Sequence, residues 1–238
     1  MTVLFSGNPE ECNIQIRKQL EQLAEPEFQQ FTSKLLPGVE HILGVRLPLL
    51  RSLARQLAKE EWKTYLCHAV DDSYEEVMLQ GMVLGYARGD LQEKRKFLET
   101  FIPKINNWSV CDSVCSTIKL ARSQPEEFWE FLQQYLNSRE EFQIRFGLVQ
   151  LLDYYVNETY LERVLEAVQQ VQQEAYYVNM AQAWVISICY REFPEATLPI
   201  LKKNTLNDFT HNKAIQKITE SLKVSGEKKE LVKTLRRQ

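Results

Sequence analysis

The chain has 238 residues, a formal net charge of −3, 44% hydrophobic residues and 26% charged residues, which is the composition of a folded chain with a sizeable core and excludes a disordered one. Eight Gly and eight Pro are too few for the many turns of an all-β fold. The charge is uneven: residues 201–238 hold ten Lys and Arg against four Asp and Glu, so a basic segment follows an acidic body, a local field that net charge hides.

In chain order, the opening MTVLFSGNPEE has no basic region followed by an apolar stretch, so no leader is predicted there. No apolar run approaches the roughly 20 residues of a membrane span, and no membrane partner is expected. The five cysteines are Cys12, Cys67, Cys111, Cys115 and Cys189. Their odd number and the absence of a CxxC pair argue against a disulfide framework and for a reducing, cytoplasmic setting. Cys111 and Cys115 share a helix face, but His41, His68 and His211 are scattered. Neither a metal site nor a cofactor is expected.

The segments LPLLRSLARQLAK (47–59), YEEVMLQGMVLGYAR (74–88) and FGLVQLLDYYV (146–156) place apolar residues three and four apart, the spacing of helices. Helix starts are marked at Asn107-Trp108, at the run Ser123 to Glu127 around Pro125, and at Phe193-Pro194-Glu195, where small polar residues, early prolines and acids suit a first turn. About twelve to fourteen short helices are predicted. The starts recur. Tyr74, Trp108, Phe142, Tyr177 and His211 follow one another at 34, 34, 35 and 34 residues, and Pro125 and Pro194 lie 69 apart, two periods. A fixed period of helix pairs marks an α-solenoid. The tetratricopeptide pattern is absent, so the expectation is an all-α fold of HEAT-like repeats. It forms a single domain over 1–238, with a concave surface lined by one helix of each pair.

Counted from each aligned start, Trp108 stands at position 0, Asp112 at 4, Arg145 at 3 and Trp184 at 7. These positions form one helix face. If that helix set lines the concave side, the four side chains converge. Both tryptophans also suit a core, and Asp112 with Arg145 also suits a structural bridge between repeats, which is weak evidence for stability. The chemical alternative is a site for a cationic group on a phosphodiester chain. Indole faces attract cations, a carboxylate stabilises developing positive charge, and a guanidinium fork fits phosphate.

The chain resembles the AlkD-type DNA alkylation repair proteins, HEAT-like-repeat alkylpurine DNA glycosylases. The resemblance runs from Gly44-Val45-Arg46-Leu47-Pro48-Leu49-Leu50-Arg51 through Tyr74-Glu75-Glu76. It is strongest at Asn107-Trp108-Ser109-Val110-Cys111-Asp112-Ser113. It continues through Ile144-Arg145-Phe146-Gly147 and Tyr176 to Trp184, and ends at Asn212-Lys213-Ala214-Ile215-Gln216-Lys217. It implies a monofunctional enzyme of base excision repair that hydrolyses the N-glycosidic bond of N3- and N7-alkylated purines in duplex DNA, without flipping the base. Trp108, Asp112, Arg145 and Trp184 match the family's catalytic positions, and Tyr177 matches a further aromatic. Arg46, Arg51, Lys213 and Lys217 are candidate phosphate contacts. The implied partner is alkylated double-stranded DNA, met by a monomer. Two other readings of the solenoid remain: a catalytically silent DNA-binding paralogue, and a scaffold for a protein partner.

Overall fold

A computed structural model describes residues 8–238; residues 1–7, the larger part of the stretch expected to hold no leader, lie outside the described residues. Among the described residues the regular structure is helical: fifteen α-helices and one 3-10 turn at Ile102–Lys104, with a single isolated bridge between Ala24 and Val45. No described helix is long and apolar enough to cross a membrane. The all-α repeat architecture read from the periodicity is present.

The chain gathers into two compact units, one ending at Gln124 and one beginning at Pro125. The first holds α1 (Pro9–Leu23), α2 (Pro26–Leu35), α3 (Leu47–Leu57), α4 (Trp62–His68), α5 (Tyr74–Tyr86), α6 (Leu91–Phe101), α7 (Trp108–Cys115) and the single turn α8 (Leu120–Ser123). The second holds α9 (Pro125–Leu136), α10 (Glu141–Tyr154), α11 (Leu161–Gln170), α12 (Tyr176–Glu192), α13 (Pro194–Lys202), α14 (Asp208–Glu220) and α15 (Gly226–Lys233).

Helix starts follow local chemistry. Tyr74, Trp108, Pro125 and Pro194 are first residues of helices, and Phe142 and Tyr177 are second residues. Side-chain oxygens of Ser73, Asp90, Asn107 and Asn207 each accept from a backbone N–H three residues on, satisfying donors that a first turn leaves without partners. The repeat then appears in the packing. In the first unit α3, α5 and α7 lie side by side; in the second α10, α12 and α14 do the same, with α11 and α13 against α12 and α15 against α14.

The start of α5 is tied to the loop before α3 by a buried carboxylate. Glu75 is 0% exposed and accepts from the backbone N–H groups of Leu43 (2.8 Å), Gly44 (2.7 Å) and Val45 (3.1 Å). Such bonds supply what desolvation removes from a buried charge. Gly44 has φ +97, and a Cβ there would sit 2.6 Å from that of Gln29, so both conformation and space require glycine. Next to it the Glu76 carboxylate accepts a fork from Arg17 at 2.8 and 2.5 Å. At the other end of α5, Lys94 donates to the Ala87 carbonyl at 2.6 Å, and burial pushes its ammonium down to about 8.

Candidate active site

Helix α7 has two unlike faces. Val110, Cys111, Val114 and Cys115 are buried, whereas Trp108, Ser109, Asp112 and Ser113 are half-buried. The spacing of the two sets is that of a helix with one side against the core. Trp108 and Asp112 are therefore one turn apart on the partly open side. The helix is short and begins where the Asn107 side chain accepts from Val110 N–H at 2.9 Å, which sets the position of Trp108.

Trp108 borders an apolar recess of about 170 Å³ walled by Phe28, Phe31, Leu35, Leu47 and Met78. Tyr74 of α5 reaches the same recess and shares a 2.7 Å hydrogen bond with the Ser109 hydroxyl. Burial pushes the Tyr74 phenol up to about 12, so it is a neutral hydroxyl that ties α5 to α7 at the Trp108 end.

Two of the four expected phosphate contacts belong to this unit. Arg51 of α3 donates to the Ser116 hydroxyl at the end of α7, at 3.2 Å. Its buried Nε has no hydrogen-bond partner. Arg46 forms a fork on Glu25, with three contacts between 2.8 and 3.0 Å, and lies 4.9 Å over the Phe28 ring. A phosphate at Arg46 has to share or displace that carboxylate.

Arg145 and Trp184 belong to the second unit. Arg145 is 6% exposed. It donates to the Tyr177 carbonyl at 2.9 Å and sits 5.9 Å from the Tyr177 ring. Glu141, on the first turn of α10, accepts from Tyr177 N–H at 2.7 Å, so α10 both caps α12 and presents Arg145 beside it. Along α12 the half-buried residues are Tyr177, Met180, Trp184, Ile188 and Arg191, three and four apart on one face. Trp184 is thus on the same stripe as Tyr177. Lys217 of α14 stands 5.9 Å from the Trp184 ring, and Lys213 stands 5.8 Å from that of Phe209. The structure brings Arg145 to Tyr177 and Lys217 to Trp184.

Sequence reasoning gave no site role to Tyr176 and Phe209, which are 57% and 44% exposed. The signal was a Tyr-Tyr pair at a helix start, hidden because either ring could have been the buried one. It also passed over a pocket of about 600 Å³ in the first unit, lined by Arg55, Lys59, Trp62, Tyr86 and Arg88. That pocket joins residues from three helices and linkers, a grouping no short motif carries. The cysteines are free thiols, four buried and Cys67 exposed. No group of three or more His, Cys, Asp or Glu side chains able to hold a metal occurs among the described residues.

No curated protein matches the chain significantly. The model of one family does match, over residues 16–218, which takes in α7, α10, α12 and all but the end of α14; its description is DNA alkylation repair enzyme, and the chain belongs to that family of DNA repair enzymes.

Proposed function

We propose that the chain is a monofunctional alkylpurine DNA glycosylase of AlkD type, acting on cationic N3- and N7-alkylated purines in duplex DNA. The observation that carries this reading is the two-faced helix α7. Its polar and aromatic members, Trp108 and Asp112, sit one turn apart on the partly open side, while four apolar neighbours are buried. A carboxylate and an indole held there fit a reaction that builds positive charge on a sugar.

An alkylated N3 or N7 carries positive charge, so the purine leaves as a neutral base. The bond from the anomeric carbon to the purine nitrogen breaks, its electron pair going to the base, and oxocarbenium character develops on the deoxyribose. Asp112 stabilises that charge and orients the water that attacks the anomeric carbon; the water's proton passes to Asp112 or to solvent. Trp108 and Trp184 lie along the deoxyribose, where their π faces favour the cation. Arg145 is the residue for a neighbouring phosphate, which has to share or displace the Tyr177 carbonyl, and Tyr177 extends the aromatic wall. Arg46, Arg51, Lys213 and Lys217 meet phosphates farther along. No lysine is assigned to the sugar, so no Schiff base forms and the strand is left uncut. The base stays in the helix instead of entering a pocket. The chain works as a monomer, in the cytoplasm.

The test is release of 7-methylguanine and 3-methyladenine from methylated duplex DNA. The wild type is expected to release both. Asp112→Asn should lower the rate by roughly 10²–10³-fold, the loss seen when one preorganised electrostatic group is removed. Release undiminished in Asp112→Asn overturns the mechanism. No release by the wild type overturns the enzyme and favours the silent DNA binder.

A further inference from the structure

In the second unit, aromatic rings form a connected chain across three adjacent helices. Phe142 of α10 lies 5.3 Å from Tyr177 of α12, Tyr177 lies 5.1 Å from Tyr176, and Tyr176 lies 6.0 Å from Phe209 of α14. The chain becomes more exposed along its length: Phe142 and Tyr177 are half-buried, and it ends on Tyr176 and Phe209, 57% and 44% exposed. Single exposed apolar residues are ordinary on protein surfaces. Two exposed aromatics in contact, at the end of a ring chain, are a continuous patch.

Positive charge lies beside this patch. Lys213 stands 5.8 Å from the Phe209 ring. Phe209 and Lys213 line a recess of about 330 Å³ together with Asn212, Gln216, Arg236 and Arg237. Asn212 exchanges two hydrogen bonds with the Arg237 backbone, at 3.0 and 2.9 Å, which fixes the C-terminal residues against α14 and holds Arg236 at the recess. Of the nearby acids, Asp208 pairs with Arg237 at 3.2 Å and Glu141 caps α12, while Glu174 is exposed. Arg236 is exposed and has no acidic partner among the described residues.

We propose that Tyr176 and Phe209 form a stacking platform for one unstacked nucleotide of a DNA strand, with Lys213 and Arg236 on its phosphate. This rests on the reading above that the chain acts on DNA and shares Lys213 with it, but it assigns a role to two further aromatics, Tyr176 and Phe209. Every base has a π face, so such a platform is tolerant of sequence. The cations beside the rings supply the attraction that a purely apolar patch lacks. A nucleotide that loses its stacking neighbour in a damaged or gapped duplex is the ligand that fits both features.

The experiment is fluorescence anisotropy of labelled single-stranded oligothymidylate with the full chain, repeated over a range of salt. Binding is expected, and Tyr176→Ala and Phe209→Ala should each weaken it by on the order of tenfold to a hundredfold. Phe209→Leu keeps apolar area without the π face and should weaken it as well; Phe209→Trp should restore it. Lys213→Gln and Arg236→Gln should each flatten the salt dependence by about 0.7 in log–log slope. Affinity unchanged in Tyr176→Ala and Phe209→Ala overturns the platform. So does concentration-dependent self-association that either alanine abolishes, because a second copy then covers the patch. Base release from methylated duplex, measured in parallel, keeps the two readings apart. Release without aromatic-dependent strand binding removes the platform alone, and strand binding without release removes the glycosylase alone.

Discussion

The starts of α5 and α7 lie 34 residues apart and pack against each other in the first unit, yet their carboxylates differ in burial. Glu75 is entirely buried and takes three backbone N–H donors from a loop 30 to 32 residues away. Asp112 is half-buried on the open side of its helix. The neighbouring aromatics Tyr74 and Trp108 border one apolar recess, and Tyr74 is also bonded to Ser109. The two carboxylates stand at different positions of the repeat, and the segment packed over each start decides how far its carboxylate is buried.

Breaking the structural half of this comparison should have the largest effect. Glu75→Ala leaves two buried amides and the half-buried one of Leu43 without an acceptor, and at about 1–3 kcal/mol for each buried partner lost the destabilisation should be on the order of 3 kcal/mol. Glu75→Gln keeps one oxygen and should lie between the two. Urea unfolding of the three proteins measures this; equal midpoints would show that the loop does not depend on the carboxylate. Asp112→Asn sharpens the other half. Its stability should fall by less than that of Glu75→Ala, because Asp112 is half-buried where Glu75 is fully buried, while base release collapses. A loss of stability matching that of Glu75→Ala would make Asp112 structural.

Two smaller effects separate the units by pH. In the first, the Lys94 ammonium is lowered by burial from 10.5 to about 8. Between those values the unfolded chain binds the proton and the folded chain does not, so stability should rise as pH goes from 8 to 10.5, by on the order of 1–3 kcal/mol. Lys94→Met should flatten that rise in thermal melts across the range. In the second, His211 is buried, and burial lowers its pKa below 6.5. Its Nε2–H donates to the Leu235 carbonyl at 2.8 Å, and its Nδ1 accepts from Asn204 at 3.2 Å. Protonation at Nδ1 removes the second bond. The stability this neutral imidazole contributes is present above pH 6.5 and lost as pH falls through the lower folded value. The protection factor of the segment after α15 against hydrogen exchange should therefore fall below pH 6, by under about tenfold, and a protection factor unchanged from pH 7 to 5 would remove the claim.

Much of the fold was legible because its determinants are local. Helical periodicity, side-chain caps and early prolines act over three or four residues, and they place Tyr74, Trp108, Pro125 and Pro194 at helix starts. The same local rule puts Trp108 and Asp112 on one side of α7, and Tyr177 and Trp184 on one side of α12. Other features depended on partners far along the chain. Glu75 and Glu76 stand in the first turn of α5, a position that does not tell that one holds a loop and the other holds Arg17, 59 residues away. Arg46 read as a phosphate contact and is engaged by Glu25, 21 residues before it. Which ring of Tyr176-Tyr177 is covered was decided by Phe142 and Arg145 from α10.

The sequence by itself determined the helices, their period and the stripe that carries the candidate chemistry, because neighbours three and four residues apart meet in any α-helix. Only the tertiary structure decided which polar groups are consumed by the fold and which aromatic and basic groups stay open, because burial and pairing are set by segments that no local spacing brings together.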